Sequence, residues 1–351
     1  MKSKAVILLL ATVIIASSLM YQSTMCLAKA SLMTTNYALH EPDLRVMFGI
    51  GTNGLFIQFG SKNYQPEQMS LRPIGQALSK TVEVGYDFFQ NNMDLYHFQN
   101  GNWTNEPIYS SGDSIQGFLS NGKDVLLMVH GLFTGNYLEW TEAAAYITQQ
   151  NPDLDIYAVD YGTGYPLAYL GEWLNQLITQ GVDDGQKISV LAHSQGGLVA
   201  RAALELHESS RDKVKCLITL ATPHTGVDYG NVVADAANRL LNLIPELSDL
   251  MSRTSFLNEL NSNISRLNIA YYFIAGTSKG NFASYWELID KFTAEYFSTI
   301  INDGVVEKNS ALGVGLDFSN NRLQFATAEF PVDHSEIMSD KRVLDQVLMW
   351  L

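Results

Sequence analysis

The residues best suited to chemistry in this chain are Ala192-His193-Ser194-Gln195-Gly196. They follow the apolar run Ile188-Ser189-Val190-Leu191 and open an amphipathic stretch from Gly197 to His207. This succession predicts a strand, one sharp turn and a helix, which together lift a serine hydroxyl to the edge of a sheet as a nucleophile. Small residues are needed where strand and helix cross closely, and Ala192, Gly196 and Gly197 supply them. The first position of such a pentapeptide is usually glycine, so Ala192 adds one methyl group.

A serine that attacks an acyl carbon needs a base for its proton, an acid to orient the base, and donors for the oxyanion. On a strand–turn–helix unit of this kind the chain order is serine, acid, then histidine. The histidines are His40, His97, His130, His193, His207, His224 and His334, of which His207, His224 and His334 follow the serine. His207 sits on the helix after the turn and His224 directly follows the next strand, so neither leaves room for an acid on a later strand. His334 is therefore the expected base, in the polar loop Pro331-Val332-Asp333-His334-Ser335-Glu336. Asp303 is the best candidate acid, because Asn302-Asp303-Gly304 forms a tight turn between Ile300-Ile301 and Val305-Val306. Asp290, Asp317, Glu307 and Asp333 compete with it.

The oxyanion donors are expected to be the main-chain N–H groups of Leu132 and Gln195. Leu132 belongs to His130-Gly131-Leu132, which ends the apolar run Val125–Val129, and His130 is expected to brace that loop. Gln195 opens a helix, whose dipole favours developing negative charge.

These residues need a scaffold, and short apolar runs recur from Asp124 onward. Val125–Val129, Ile156–Val159, Ile188–Leu191 and Cys216–Leu220 start about thirty residues apart, the length of a strand plus a crossover helix. Helical patterns lie between them at Tyr137–Gln149, Leu167–Gln180 and Gly197–His207. Fully apolar strands alternating with amphipathic helices predict an α/β fold with a mostly parallel sheet covered on both faces. Further strands are expected at Tyr271–Ala275 and Leu323–Ala326, with a final helix over Glu336–Leu351. Upstream, Leu95–Phe98 and Trp103–Tyr109 flank Asn100-Gly101, a hairpin turn at the sheet edge. Residues 31–90 read as an N-terminal extension of unknown role, glycine-rich and apolar over Val46–Phe59 and with helix-like spacing over Pro66–Tyr86.

The chain has 351 residues and a formal charge of −14, which disfavours nucleic acid and anionic surfaces as partners. Met1–Ala30 has the form of a secretory signal. Lys2 and Lys4 precede the apolar core Ala5–Met20, and Ala28-Lys29-Ala30 offers cleavage after Ala30, so a secreted or periplasmic protein is expected. Removing that segment takes away three lysines and no acid, which brings the charge to −17. Of the two cysteines, Cys26 lies in the segment and Cys216 reads as a buried core thiol. His224 with Asp228, and Asp153 with Asp155, are too few to form a metal cluster, and no metal or cofactor is expected.

The chain resembles the bacterial triacylglycerol lipase and esterase group of α/β-hydrolases over about residues 120–351. The matching motifs, in order, are His130-Gly131-Leu132-Phe133, Ala192-His193-Ser194-Gln195-Gly196-Gly197, Ala221-Thr222-Pro223-His224-Thr225-Gly226, Asn302-Asp303-Gly304-Val305-Val306 and Asp333-His334-Ser335-Glu336-Ile337. Ser255-Phe256-Leu257-Asn258-Glu259-Leu260-Asn261 also looks like the lid region of that group. The resemblance implies an α/β-hydrolase domain over residues 91–351, with Ser194, Asp303 and His334 as the triad. It also implies a helical lid in the insertion near residues 226–268, whose apolar positions suit core-facing helices equally well. The implied activity is cleavage of carboxylic, especially fatty acyl, esters through an acyl-enzyme, with an acyl ester or lipid as substrate and transient contact with a lipid interface. A thioesterase, a phospholipid or GPI-lipid deacylase or an acyltransferase would carry the same triad, and a non-catalytic binding protein is the remaining class. Some of these lipases hold calcium through an aspartate just after the histidine. Glu336 stands there in this chain, so calcium is unassigned.

Overall fold

In the computed structural model the described residues are 39–41, 44–51, 54–61, 64–70, 93–110, 113, 123–132, 136–162, 165–227, 249, 254–263, 269–280, 300–318 and 325–351. The signal segment Met1–Ala30 lies outside them. The chain divides into two units, Thr12–Tyr86 and the remainder. The described part of the first is an antiparallel meander, β1 (Leu39–Glu41), β2 (Leu44–Gly51), β3 (Gly54–Ser61) and β4 (Tyr64–Ser70), paired in that order. Residues 66–70, which the spacing assigned to a helix, are therefore strand, held by β3 through pairs such as Phe56↔Ser70 and Phe59↔Glu67. Pro66 is tolerated because β4 is an edge strand, where a missing N–H breaks no ladder on the outer side.

The second unit is built on β5 (Met93–Gln99), β6 (Asn102–Trp103), β7 (Tyr109–Ser110), β8 (Val125–Val129), β9 (Asp155–Tyr161), β10 (Ile188–His193), β11 (Val214–Leu220), β12 (Ala270–Gly276) and β13 (Phe325–Phe330). They form one sheet in the order β13-β12-β11-β10-β8-β9-β5-β6, with β7 also on β5. Every pairing from β13 to β9 is parallel, and β5 runs antiparallel to β9, β6 and β7. The edge expected at Trp103–Tyr109 is thus two short pieces rather than one strand. Of the strand expected over Leu323–Ala326, Phe325 and Ala326 pair with β12 and the strand runs on to Phe330, while residues 323 and 324 lie outside the described residues.

Helices cover both faces. On one lie α2 (Leu167–Gly181) and α3 (Gln195–Glu205), and on the other α1 (Thr141–Gln150) and α6 (Lys341–Trp350). Successive strand residues point to opposite faces, so β8 sends Leu127 and Val129 toward Leu174 and Leu198, and Leu126 and Met128 toward Trp140 and Ile147. This double burial explains why the central strands are apolar at most positions, as in β8 Val125–Val129. The α2–α3 crossing is close, since a Cβ on Gly171 would lie 2.5 Å from that of Ala202. This is an α/β architecture with a mostly parallel sheet covered by helices on both faces. Most of the insertion near 226–268, including Val233–Ile244, lies outside the described residues. Its helix α4 (Ser255–Asn263) buries Phe256, Leu257 and Leu260 in the core. A fifth short helix, α5 (Lys308–Ala311), precedes β13.

The chain runs from β8 to β9 on one side, then crosses back so that β10 flanks β8 on the other. A sheet whose order reverses in this way leaves a crevice at the carboxyl ends of the two diverging strands, where α/β proteins bind ligands. Here those ends are His130-Gly131-Leu132 after β8 and Ser194 after β10.

Candidate active site

Ser194 sits at the turn between β10 and α3 with φ +51° and ψ −125°, a strained region for a residue with a side chain. The turn is clamped from both sides, with Ser194 N–H donating to Leu220 O at 2.8 Å and Gly197 N–H to Ser194 O at 3.1 Å. The two residues after Gln195 must be glycine. A Cβ on Gly196 would lie 2.2 Å from His130 O, and one on Gly197 would lie 2.0 Å from Thr222 Oγ1.

Two chain-remote loops meet this serine. The loop after β12 brings Asp303 and the loop after β13 brings His334, each past the carboxyl end of its strand. His334 Nε2 lies 3.0 Å from Ser194 Oγ, and His334 Nδ1 lies 2.8 Å from Asp303 Oδ2. These partners fix the tautomer, with Nδ1–H donating to the carboxylate and Nε2 accepting from the hydroxyl. The other oxygen of Asp303, Oδ1, accepts from Val305 N–H at 2.9 Å and Val306 N–H at 2.7 Å, so the Asn-Asp-Gly turn orients the carboxylate through its own backbone. Asn302 holds the same turn, its Oδ1 accepting from Gly304 N–H at 2.8 Å.

The competing acids have other duties. Asp333 Oδ1 accepts from Ser335 N–H and Glu336 N–H and so shapes the turn after His334. Glu307 bridges Asn302 in the backbone, Asp317 is exposed, and Asp290 lies outside the described residues.

Leu132 follows β8, and the preceding Gly131 passes so close that a Cβ there would lie 3.0 Å from Ser194 Cβ. Gln195 is the first residue of α3, where main-chain N–H groups have no partner within the helix. His130 Nε2 accepts from Tyr161 N–H at 3.2 Å, so its Nδ1–H donates to Gly131 O at 3.0 Å. The Tyr161 hydroxyl donates to His130 O at 2.6 Å, and burial pushes the His130 imidazole down to about 4. The loop is thus braced by a neutral histidine.

Two neighbours carried no signal of their own in the sequence. His193 donates from Nε2 to His334 O at 3.0 Å, and Glu139 Oε1 accepts from Gly131 N–H at 3.3 Å. Of the remaining histidines near the sheet, His224 is fully buried between Thr219, Arg201 and the ring of Phe273. Cys216 is a buried free thiol beside Ser189. Among the described residues no group of three His, Cys, Asp or Glu could hold a metal, and no helix is long and apolar enough to cross a membrane.

A carboxylate, an imidazole and a hydroxyl joined in this order can activate the serine oxygen as a nucleophile. Residues 120–244 match the family described as "Putative serine esterase (DUF676)". The matched segment contains Leu132, Ser194 and Gln195, while Asp303 and His334 lie beyond it. Over that span the chain is esterase-like. Among solved structures, the mature form of Bacillus licheniformis lipase BlEst2 is 21% identical, covering 68% of this chain and 95% of its own, with a TM-score of 0.45. Its propeptide form is 22% identical, covers 68% of this chain and has a TM-score of 0.46, and the match spans 52% of that form. The lin2722 product of Listeria innocua is 13% identical, covers 64% of this chain and 92% of its own, with a TM-score of 0.43. No curated protein matches the chain.

Proposed function

We propose that this protein is a serine hydrolase of carboxylic esters that works through an acyl-enzyme, with fatty acyl esters as its substrate class. One observation carries the reading: the His334 ring joins Ser194 Oγ at 3.0 Å to Asp303 Oδ2 at 2.8 Å, at the crevice where strand order reverses. His334 Nε2 takes the hydroxyl proton as Ser194 Oγ forms a bond to the acyl carbon, and Asp303 stabilises the resulting imidazolium. The N–H groups of Leu132 and Gln195 receive the oxyanion, and losing one such donor typically costs about 3 kcal/mol of barrier. Collapse of the tetrahedral adduct breaks the bond to the leaving alkoxide, which takes the proton from His334. Water then gives a proton to Nε2 and bonds to the acyl carbon, the bond from that carbon to Ser194 Oγ breaks, and Oγ takes the proton back from Nε2 as the acid leaves.

The exposed side chains next in sequence to the acid loop are apolar, which suits an acyl chain. There Ile300 and Ile301, immediately before Asn302-Asp303, are 41% and 54% exposed. Export follows from Met1–Ala30, and N-terminal sequencing of the mature protein should then begin at Ser31. The function is tested with p-nitrophenyl acyl esters of short and long chain, alongside thioesters and phospholipids. Ser194→Ala should abolish release of nitrophenol, and unchanged turnover by that variant would refute the proposal.

A further inference from the structure

We propose that His193 is a positioning residue, holding the main chain of His334 so that the base keeps its distance from Ser194. The inference rests on the serine-hydrolase reading above. The backbone of His334 has two anchors. Its N–H donates to Asp303 O at 2.9 Å, and its carbonyl accepts from His193 Nε2–H at 3.0 Å. The first ties the base to the residue that supplies the acid. The second ties it to the residue peptide-bonded to the nucleophile. The backbone of His334 is therefore tied toward both the acid and the nucleophile, in addition to the contacts of its side chain.

The state of His193 shows what the side chain is for. A carbonyl can only accept, so the proton of His193 sits on Nε2 and its Nδ1 is a bare lone pair. Among the described residues that Nδ1 is buried without a hydrogen-bond partner, 3.9 Å from Glu139 Oε1 and too far for a bond. Leaving a buried polar atom unsatisfied is unfavourable, and an apolar side chain would fill the space without that penalty. What imidazole adds at this position is the single donor aimed at His334. Its ring lies 4.8 Å from that of His334, and burial, reinforced by His334 itself, holds its pKa far below the usual imidazole range. The ring therefore stays uncharged beside a base that becomes positive during turnover.

Three variants of the full chain test this: His193→Leu, which has no donor, His193→Gln, whose amide N–H reaches about as far as Nε2–H, and His193→Asn, whose amide stops one methylene short. The readouts are kcat and KM for a p-nitrophenyl ester, normalised to the sites that a fluorophosphonate titrates at its end point, with circular dichroism to confirm folding. Displacing a base by a fraction of an ångström should lower kcat per titrated site about 10- to 100-fold in His193→Leu, with KM within about twofold. His193→Gln should recover to within about fivefold of the parent. Parental kcat per site in His193→Leu, or a His193→Gln variant as slow as His193→Leu, would overturn the proposal. If His193→Leu does not fold, the comparison passes to the amides: a fast His193→Gln with a slow His193→Asn supports the role, and equal rates overturn it. Ser194→Ala separates the two levels. Turnover by Ser194→Ala removes the hydrolase reading, whereas an inert Ser194→Ala beside a His193→Leu of parental rate removes only the positioning role.

Discussion

The main-chain N–H of Ser194 donates to the carbonyl of Leu220 at 2.8 Å, binding the strained elbow to the end of the neighbouring strand β11. The serine can hold a positive φ because this bond and the close fit of the following helix leave it no other place. That fit is most demanding at Gly196, whose absent Cβ would meet His130 O at 2.2 Å. Gly196→Ala should therefore cost about 3 kcal/mol or more, because the obstacle is backbone and cannot rotate away. Thermal or urea unfolding measures this, and a stability within about 0.5 kcal/mol of the parent would contradict the packing described.

Asp303 orients His334 and stabilises its charged form, but it does not touch the substrate. Asp303→Asn keeps the shape and presents a group that can hold the wrong tautomer of the imidazole. The rate kcat should fall by about 10³- to 10⁴-fold while KM changes little. Steady-state kinetics on an activated ester checks this, and a loss of less than about tenfold would reassign the acid.

Three histidines, His130, His193 and His224, are fully buried, and burial lowers the pKa of each. The sign follows from linkage. Below about 6.5 the unfolded chain takes up protons that the folded chain refuses, so stability is complete above that pH and declines as pH falls. His130, held down to about 4, contributes a loss of order 3 kcal/mol across the window from 6.5 to 4. Urea midpoints between pH 7 and pH 4.5 report it, and a midpoint that stays level or rises on acidification would contradict it.

A second buried polar group lies away from the site. Arg201 donates to Glu205 at 2.7 and 2.9 Å and to Asn261 at 3.0 Å, and Tyr271 donates to the same carboxyl at 3.1 Å. Burial pushes the Glu205 carboxyl up, against the pull of Arg201. Arg201→Met would strand that carboxyl in the core and should cost about 3–5 kcal/mol. Urea unfolding tests this, and a cost below about 1 kcal/mol would show that the cluster relaxes without its arginine.

The central strands were legible because double burial makes each predominantly apolar, as in Val125–Val129, with few polar interruptions such as Ser189 in Ile188–Leu191. Ser194 was legible because the close approach of His130 O and Thr222 forces glycines at fixed offsets. Asp303 and His334 followed from chain order and from the turn chemistry of Asn-Asp-Gly, and these are the residues that the fold brings to the serine. The hydrogen bond from His193 to His334 was not legible, because it joins residues 141 positions apart and depends on where a backbone carbonyl points. Glu139 was equally silent, being an acid on the exposed-looking side of a helical stretch until the loop after β8 folds onto it. Over residues 66–70 local spacing suggested a helix, but pairing with β3 outweighed it. The Ser255–Asn263 helix, similar to a lid in sequence, buries three apolar residues in the core, which local amphipathicity cannot distinguish from covering a cleft.

The most direct test of the central claim is to map the serine that a fluorophosphonate labels, by mass spectrometry, in the parent and in His334→Ala. A serine activated by His334 should give one adduct, on the peptide containing Ser194, with labelling slowed at least about 100-fold once the imidazole is removed. An unlabelled Ser194, or equal labelling rates with and without His334, would contradict the account.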